Sequence, residues 1–128
     1  MTLTAPVSWG ELIDKITILE IKLENMTDPE KLVNVKHEHT VLSQTRDSYT
    51  LPAGLMELTA QLKNINQQLW NIEDDIRDQE RQKDFGEKFV ELARSVYFTN
   101  DKRAALKKDV NILMGSDVVE EKSYQDYD

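Results

Sequence analysis

His39 and Arg103 are the side chains of this sequence best suited to hold an anion, and both fall on otherwise apolar helical stripes, as do Arg46 and Thr99. If each inter-helix loop is a simple reversal, His39 lies level with Ile65, and Ile65 with Arg103, while Thr17, Glu20 and Asn66 come to about the same height. A guanidinium removed from water must be paired, because the desolvation cost is otherwise several kcal/mol. Such a layer is either a closed salt-bridged network that fixes register or an open pocket whose missing anion is a ligand. Glu20 is the natural partner of His39 or Arg103, and the closed network, or simple snorkelling of Arg103, is the expected form.

A second constellation, Trp70, Glu73, Arg77 and Glu80, lines one edge of a helix, where Glu73–Arg77 and Arg77–Glu80 can pair at i,i+4 and i,i+3. Asp74, Asp75 and Asp78 lie on the far face. Joined by Glu20 and Glu24, these carboxylates have the types to hold Mg²⁺. A solvated acidic face is the expected form instead, since Mg²⁺ sites usually also use substrate phosphates and the chain has no phosphate-cradling glycine loop. His37 and His39 diverge by about 200° on a helix and cannot share a metal. With no Cys, no HExxH and no GxSxG, the sequence supports neither a thiol nucleophile, a Cys-based zinc site nor a hydrolase triad. No metal and no cofactor are expected.

The elements that must position these residues are helical. Ser8-Trp9-Gly10-Glu11 is a capping box with Val7 and Leu12 at the staple positions, and Trp9, Leu12, Ile16, Leu19, Leu23 and Met26 follow at steps of three and four. Asp28-Pro29 starts a second helix, whose stripe runs through Leu32, Val35, His39, Leu42, Arg46 and Tyr49. Leu55, Leu58, Leu62, Ile65, Leu69, Ile72 and Ile76 then occupy successive a and d positions of a long, coiled-coil-like third helix ending near Lys83. Asp84-Phe85-Gly86-Glu87 offers another capping box before a fourth stripe, from Phe85 to Leu113. Its phase is unbroken across Thr99-Asn100-Asp101, which predicts one helix, at most kinked, ended by Gly115. The fold class is therefore all-α: antiparallel hairpins in a four-helix bundle with a long third and fourth pair. Residues 1–115 form a single helical domain and 116–128 an acidic tail. Short loops favour up-down-up-down connectivity.

Charge narrows the partners. Lys plus Arg is 16 and Asp plus Glu 24, a net −8, of which −4 falls in Ser116–Asp128. An acidic chain lacks the cationic face that nucleic acid requires. No apolar run approaches the ~20 residues of a membrane span, and the first residues carry no signal-peptide pattern, so a cytoplasmic protein is expected. The acidic tail is expected to be solvated, although Val118, Val119, Tyr124 and Tyr127 leave it room to dock.

The helix lengths are unequal, about 20 residues (roughly 30 Å) for the first two and about 30 (roughly 45 Å) for the second two. The short pair leaves a tip uncovered, carrying Ile72, Ile76, Phe85, Phe89 and Leu92. On the first helix, Ile18 and Ile21 lie nearly opposite the main stripe, and a helix apolar on two sides is either central or at an interface. A homo-oligomer is expected, a two-fold dimer by commonness of symmetry, with Ile18, Ile21, Ile76, Phe85 and Phe89 as its contact residues.

The segments VSWGELIDKITILEIK (Val7–Lys22), LWNIEDDIR (Leu69–Arg77), Asp84-Phe85-Gly86, FVELAR (Phe89–Arg94), TNDKRAAL (Thr99–Leu106) and VEEKSY (Val119–Tyr124) resemble a family of small, uncharacterised helical proteins of bacteria and phage. The resemblance covers most of the chain outside roughly Thr40–Thr50 and implies no activity. It implies that Trp9, Asp14, Lys15, Glu20, Trp70, Glu73, Arg77, Arg103 and Glu120–Tyr124 share one surface or pocket. An Ile-Asp spacing in the first helix gives a fainter architectural likeness to helical chorismate mutases, without matching arginine positions. The leading functional expectation is a non-enzymatic helical interaction module that self-associates; a protein partner fits the same reading. The alternative is a small helical enzyme or binding protein for an anionic, phosphorylated or carboxylate, metabolite. There Lys15, Arg77 and Arg103 would neutralise charge, Glu20 and Glu73 would act as base or Mg²⁺ ligands, and His39 and Trp70 would line the site.

Overall fold

The computed structural model describes residues 1–128 as four helices and no strand: α1 (Trp9–Asn25), α2 (Pro29–Asp47), α3 (Gly54–Arg81) and α4 (Glu87–Met114). Local chemistry sets the ends. Ser8 is extended and its hydroxyl accepts the amide of Glu11 at 3.1 Å, while Asp28 caps α2 through the amide of Glu30 at 3.0 Å, with Pro29 in the first turn. The expected capping box at Ser8 is only half made. The Glu11 carboxylate leaves it for the ammonium of Lys107, 2.8 Å away, a charge-assisted bond stronger than one to a neutral amide. At Asp84 the box is replaced by a tight turn, in which Asp84 accepts the amide of Gly86 at 3.1 Å and Gly86 caps α4 without a side-chain bond.

Both long helices end in the same way. After α4, Gly115 turns left-handed (φ 61), and Ser116 N donates back to Asn111 O at 2.9 Å. After α3, Lys83 takes the left-handed position (φ 57), and Asp84 N donates to Gln79 O at 3.0 Å. These are paired-bond helix stops whose left-handed residue is usually glycine. Between them α4 runs unbroken through Thr99–Asp101, with Thr99 buried.

The helices form an all-α bundle built around α1, the one helix in contact with the other three. α1 starts against α4, where Gly10 meets Lys107 and Asn111, reaches both long helices at Asp14, and ends beside α3, where Glu24 pairs with Lys63. It thus passes obliquely over the α3/α4 hairpin. Gly10, Ile13, Asp14, Thr17 and Ile21 share the face turned to the hairpin, and all are buried. Ile13 joins Leu55, Leu62 and Val110 in the apolar core, with Trp9, Leu58, Leu106 and Met114 against it. Leu12, Ile16 and Leu19, also buried, lie on the opposite side, under α2.

This arrangement corrects two expectations. α2 packs on α1 alone, with no residue fully buried, so the α2–α3 adjacency implied by up-down-up-down connectivity is not made. A helix apolar on two sides satisfies both by lying between neighbours, and α1 does so within its own chain. Ile21 is therefore 1% exposed and unavailable to a second molecule, while Ile18 is half-buried.

Candidate functional site

At the crossing of α1 with the hairpin, Asp14 is 1% exposed and collects the polar layer. The Arg103 guanidinium donates to both its oxygens, Nε to Oδ1 at 2.9 Å and a terminal nitrogen to Oδ2. Asn66 Nδ2 donates to Asp14 Oδ1 at 2.9 Å and to Thr17 Oγ1 at 3.0 Å, and the Thr17 hydroxyl donates to the Asp14 carbonyl at 2.7 Å. The hydrogen bond to Asp14 raises the Arg103 pKa against the opposing effect of burial. The network is closed.

Thr17, Asn66 and Arg103 meet as their heights implied, but two expected members do not. His39 sits half-buried on α2, with α1 between it and Arg103, because α2 never reaches α3 or α4. Glu20 is replaced as the arginine's partner by Asp14, which shares the hairpin-facing side of α1 with Thr17. Glu20 instead adds to the field of Glu24 at Lys63, whose pKa is raised mainly by its bond to Glu24. An open mid-bundle pocket with Arg103 and His39 pointing into it is thus ruled out.

The remaining candidates are dispersed. Lys15 is exposed, Trp70 is half-buried, and Glu73 and Arg77 are exposed and pair with each other at 3.4 Å. No group of three or more His, Asp or Glu side chains converges as a metal site would require, so Glu20, Glu24 and Glu73 do not form the Mg²⁺ cluster considered above.

The outer side of α4 carries a second arrangement. After Gly115 the chain turns back, and Ser116–Asp128, without helix or strand, runs toward the start of α4, with Glu120 at Lys107, Lys122 at Asp101 and Tyr127 at Tyr97. Lys107 donates to Glu11 at 2.8 Å and to Glu120 of the tail at 3.2 Å. Burial works to lower the Lys107 pKa, and the surrounding carboxylates, Glu11, Asp14 and Glu120, outweigh it and raise it. Farther along, Asp101 accepts from Lys122 and, at 2.6 Å, from the phenol of Tyr127, whose ring packs on Tyr97 and Phe98 at centroid distances of 5.5 and 5.0 Å. Between the tail and α4 lies an open cleft of about 1530 Å³. The tail is held to α4 at separate points, Glu120, Lys122 and Tyr127, while residues 117–128 stay exposed.

A family of unknown function, DUF6165, has a profile that matches residues 3–127. The chain belongs to DUF6165. No curated protein and no solved structure matches it. The DUF6165 match spans the tail as well as the bundle, so the docked segment is part of the family pattern and not an appendage to it.

The far half of the α3/α4 hairpin of this DUF6165 chain projects beyond α1 and α2. There Ile72, Ile76, Phe89 and Leu92 are half-buried, Phe85 is 51% exposed, and the Phe85 and Phe89 rings meet edge-on at 5.3 Å. Lys107 and Asp101 are the site residues that sequence reasoning missed. The available signal was their position facing a tail that alternates acidic, basic and aromatic residues.

Proposed function

We propose that this chain is a non-enzymatic helical interaction module that self-associates as a two-fold dimer through the far half of the α3/α4 hairpin. The single observation behind this reading is that two helices alone cover the Ile72–Leu92 seam, leaving Phe85 and Val90 each 51% exposed beside it. Two helices shield only their shared seam, and apolar side chains left part-exposed along it are what a second surface would cover. A second copy is the occupant proposed because the same half-covered seam on an identical hairpin can cover it across a two-fold axis. Ile76, Phe85 and Phe89 are the proposed contact residues, and Ile21 no longer belongs among them.

Sedimentation equilibrium of the whole chain tests this. The expected result is a concentration-dependent dimer that Phe85→Asp/Phe89→Asp converts to monomer, with helicity by circular dichroism unchanged. A wild-type chain that stays monomeric at every concentration overturns the reading.

A further inference from the structure

The cleft between α4 and the tail points to a binding function separate from self-association. We infer that it takes a small carboxylate- or phosphate-bearing ligand, whose anionic group replaces Glu120 on Lys107. The cleft, about 1530 Å³ and open to solvent, exceeds what a small molecule needs. Its floor is α4, where Arg103, Lys107 and Lys108 line it beside Asp101. Its roof is the tail, which brings Lys122 and the carboxylates of Glu120, Glu121, Asp126 and Asp128, so Lys107 is the one point on the floor where an anion of the tail is held. On the floor, Arg103 is locked by Asp14 and the Lys107 side chain is only 14% exposed, anchored from below by Glu11. A half-buried ammonium that gives one donor to Glu11, one to Glu120 and keeps one free is a preformed anion site, and the structure already seats a carboxylate on it.

That carboxylate is the removable part. Glu120 is 64% exposed at its side chain and reaches Lys107 at 3.2 Å, against 2.8 Å for Glu11. The other polar holds on the tail, Lys122 and Tyr127 on Asp101, are also at the surface. Exposed ion pairs of this kind stabilise weakly, so an incoming anion displaces Glu120 at little cost. The tail then acts as a strap over the ligand, with Glu120 as its built-in competitor.

The test is a two-dimensional amide NMR titration of the ¹⁵N-labelled full chain with inorganic phosphate and, separately, with citrate, each at constant ionic strength. Saturable shifts are expected along α4 from Tyr97 to Asn111 and in the tail from Glu120 to Tyr127. Glu120→Gln is expected to tighten binding by up to about fivefold, the Boltzmann factor of a surface ion pair. Glu38→Gln makes the same change of charge at an exposed carboxylate of α2, away from the cleft, and is expected to leave affinity unchanged. Saturation by phosphate alone assigns phosphate esters as the ligand class, saturation by citrate alone assigns carboxylates, and saturation by both assigns the shared anion chemistry. The inference is overturned by an absence of saturable shifts with either probe, by shifts confined to other regions, or by equal tightening in the two glutamine variants.

Discussion

Gly10→Ala sets helix propensity against packing, and the two give opposite signs. Inside an exposed helix, alanine in place of glycine stabilises by about 0.5–1 kcal/mol. At Gly10 the new Cβ would stand 2.4 Å from the carbonyl oxygen of Lys107 and 3.0 Å from Asn111 Oδ1. Ordinary contact starts at 3.4 Å, and the Lys107 oxygen belongs to the backbone of α4, so it cannot swing aside as a side chain would. α1 must therefore retreat from α4 by about an ångström. The retreat stretches the buried bond from Gly10 N to Asn111 Oδ1, now 2.6 Å, past useful length, and an orphaned buried donor costs about 1–3 kcal/mol. It also loosens Ile13 from Leu55, Leu62 and Val110, and misfit packing of this kind adds about 1–3 kcal/mol. Set against the propensity gain, the net is a loss of about 3 kcal/mol, read as a lower urea midpoint at unchanged slope. Gly54→Ala is the control. Its Cβ would meet only the Leu113 methyls at 3.5 and 3.7 Å, so it is expected to be neutral or to stabilise slightly. A Gly10→Ala chain as stable as wild type would refute the close approach of α1 to α4.

Asp14→Asn leaves the half-buried Arg103 without its counter-charge and is expected to cost about 3 kcal/mol in chemical denaturation, more than the double variant Asp14→Leu/Arg103→Met, which removes both charges at once. Lys83→Gly relieves a left-handed residue that bears a Cβ and gives up only an exposed 3.5 Å pair to Glu80, so it is expected to raise stability by about 1 kcal/mol. Tyr127 is expected to titrate at about 12 instead of 10.0, because its phenol donates to the Asp101 carboxylate. The near-ultraviolet absorbance of phenolate reads this, and Asp101→Asn should return one tyrosine toward its ordinary value. The protonated phenol is the docked form, so tail docking is complete below pH 10.0 and weakens as pH rises through about 12. Asp101 works in the other direction. Lys122, and then Tyr127, hold its pKa below 3.8, so docking persists above that pH and weakens as pH falls through the lowered value.

What could be read from the sequence was local. The Ser8 and Asp28 caps, the unbroken stripe of α4 and the Gly115 stop depend on residues within a turn or two of each other, where side-chain type fixes the backbone outcome. The unequal helix lengths followed from the same signals, and with them the exposed hairpin tip. Lys83 shows where local reasoning thins out. The helix stops there in the geometry glycine prefers, but a lysine in that position gives no sign of it.

Partners between elements were harder to read because periodicity says which face of a helix is apolar and not what covers it. The second apolar side of α1 was equally consistent with a dimer surface and with a central helix, and only the placement of α2 decides between them. The heights that brought Arg103, Asn66 and Thr17 together assumed helices lying alongside one another. That assumption survives near the crossing point, where neighbours are the same at any crossing angle, and it fails away from it. Glu20, six residues farther along α1 than Asp14, had already passed beyond Arg103, and His39 belonged to a helix on the far side. Gly10 carried the clue to the crossing itself. A glycine in the first turn of an otherwise apolar helix forgoes stability unless a backbone must come close to it, and the carbonyl of Lys107 is the backbone that does.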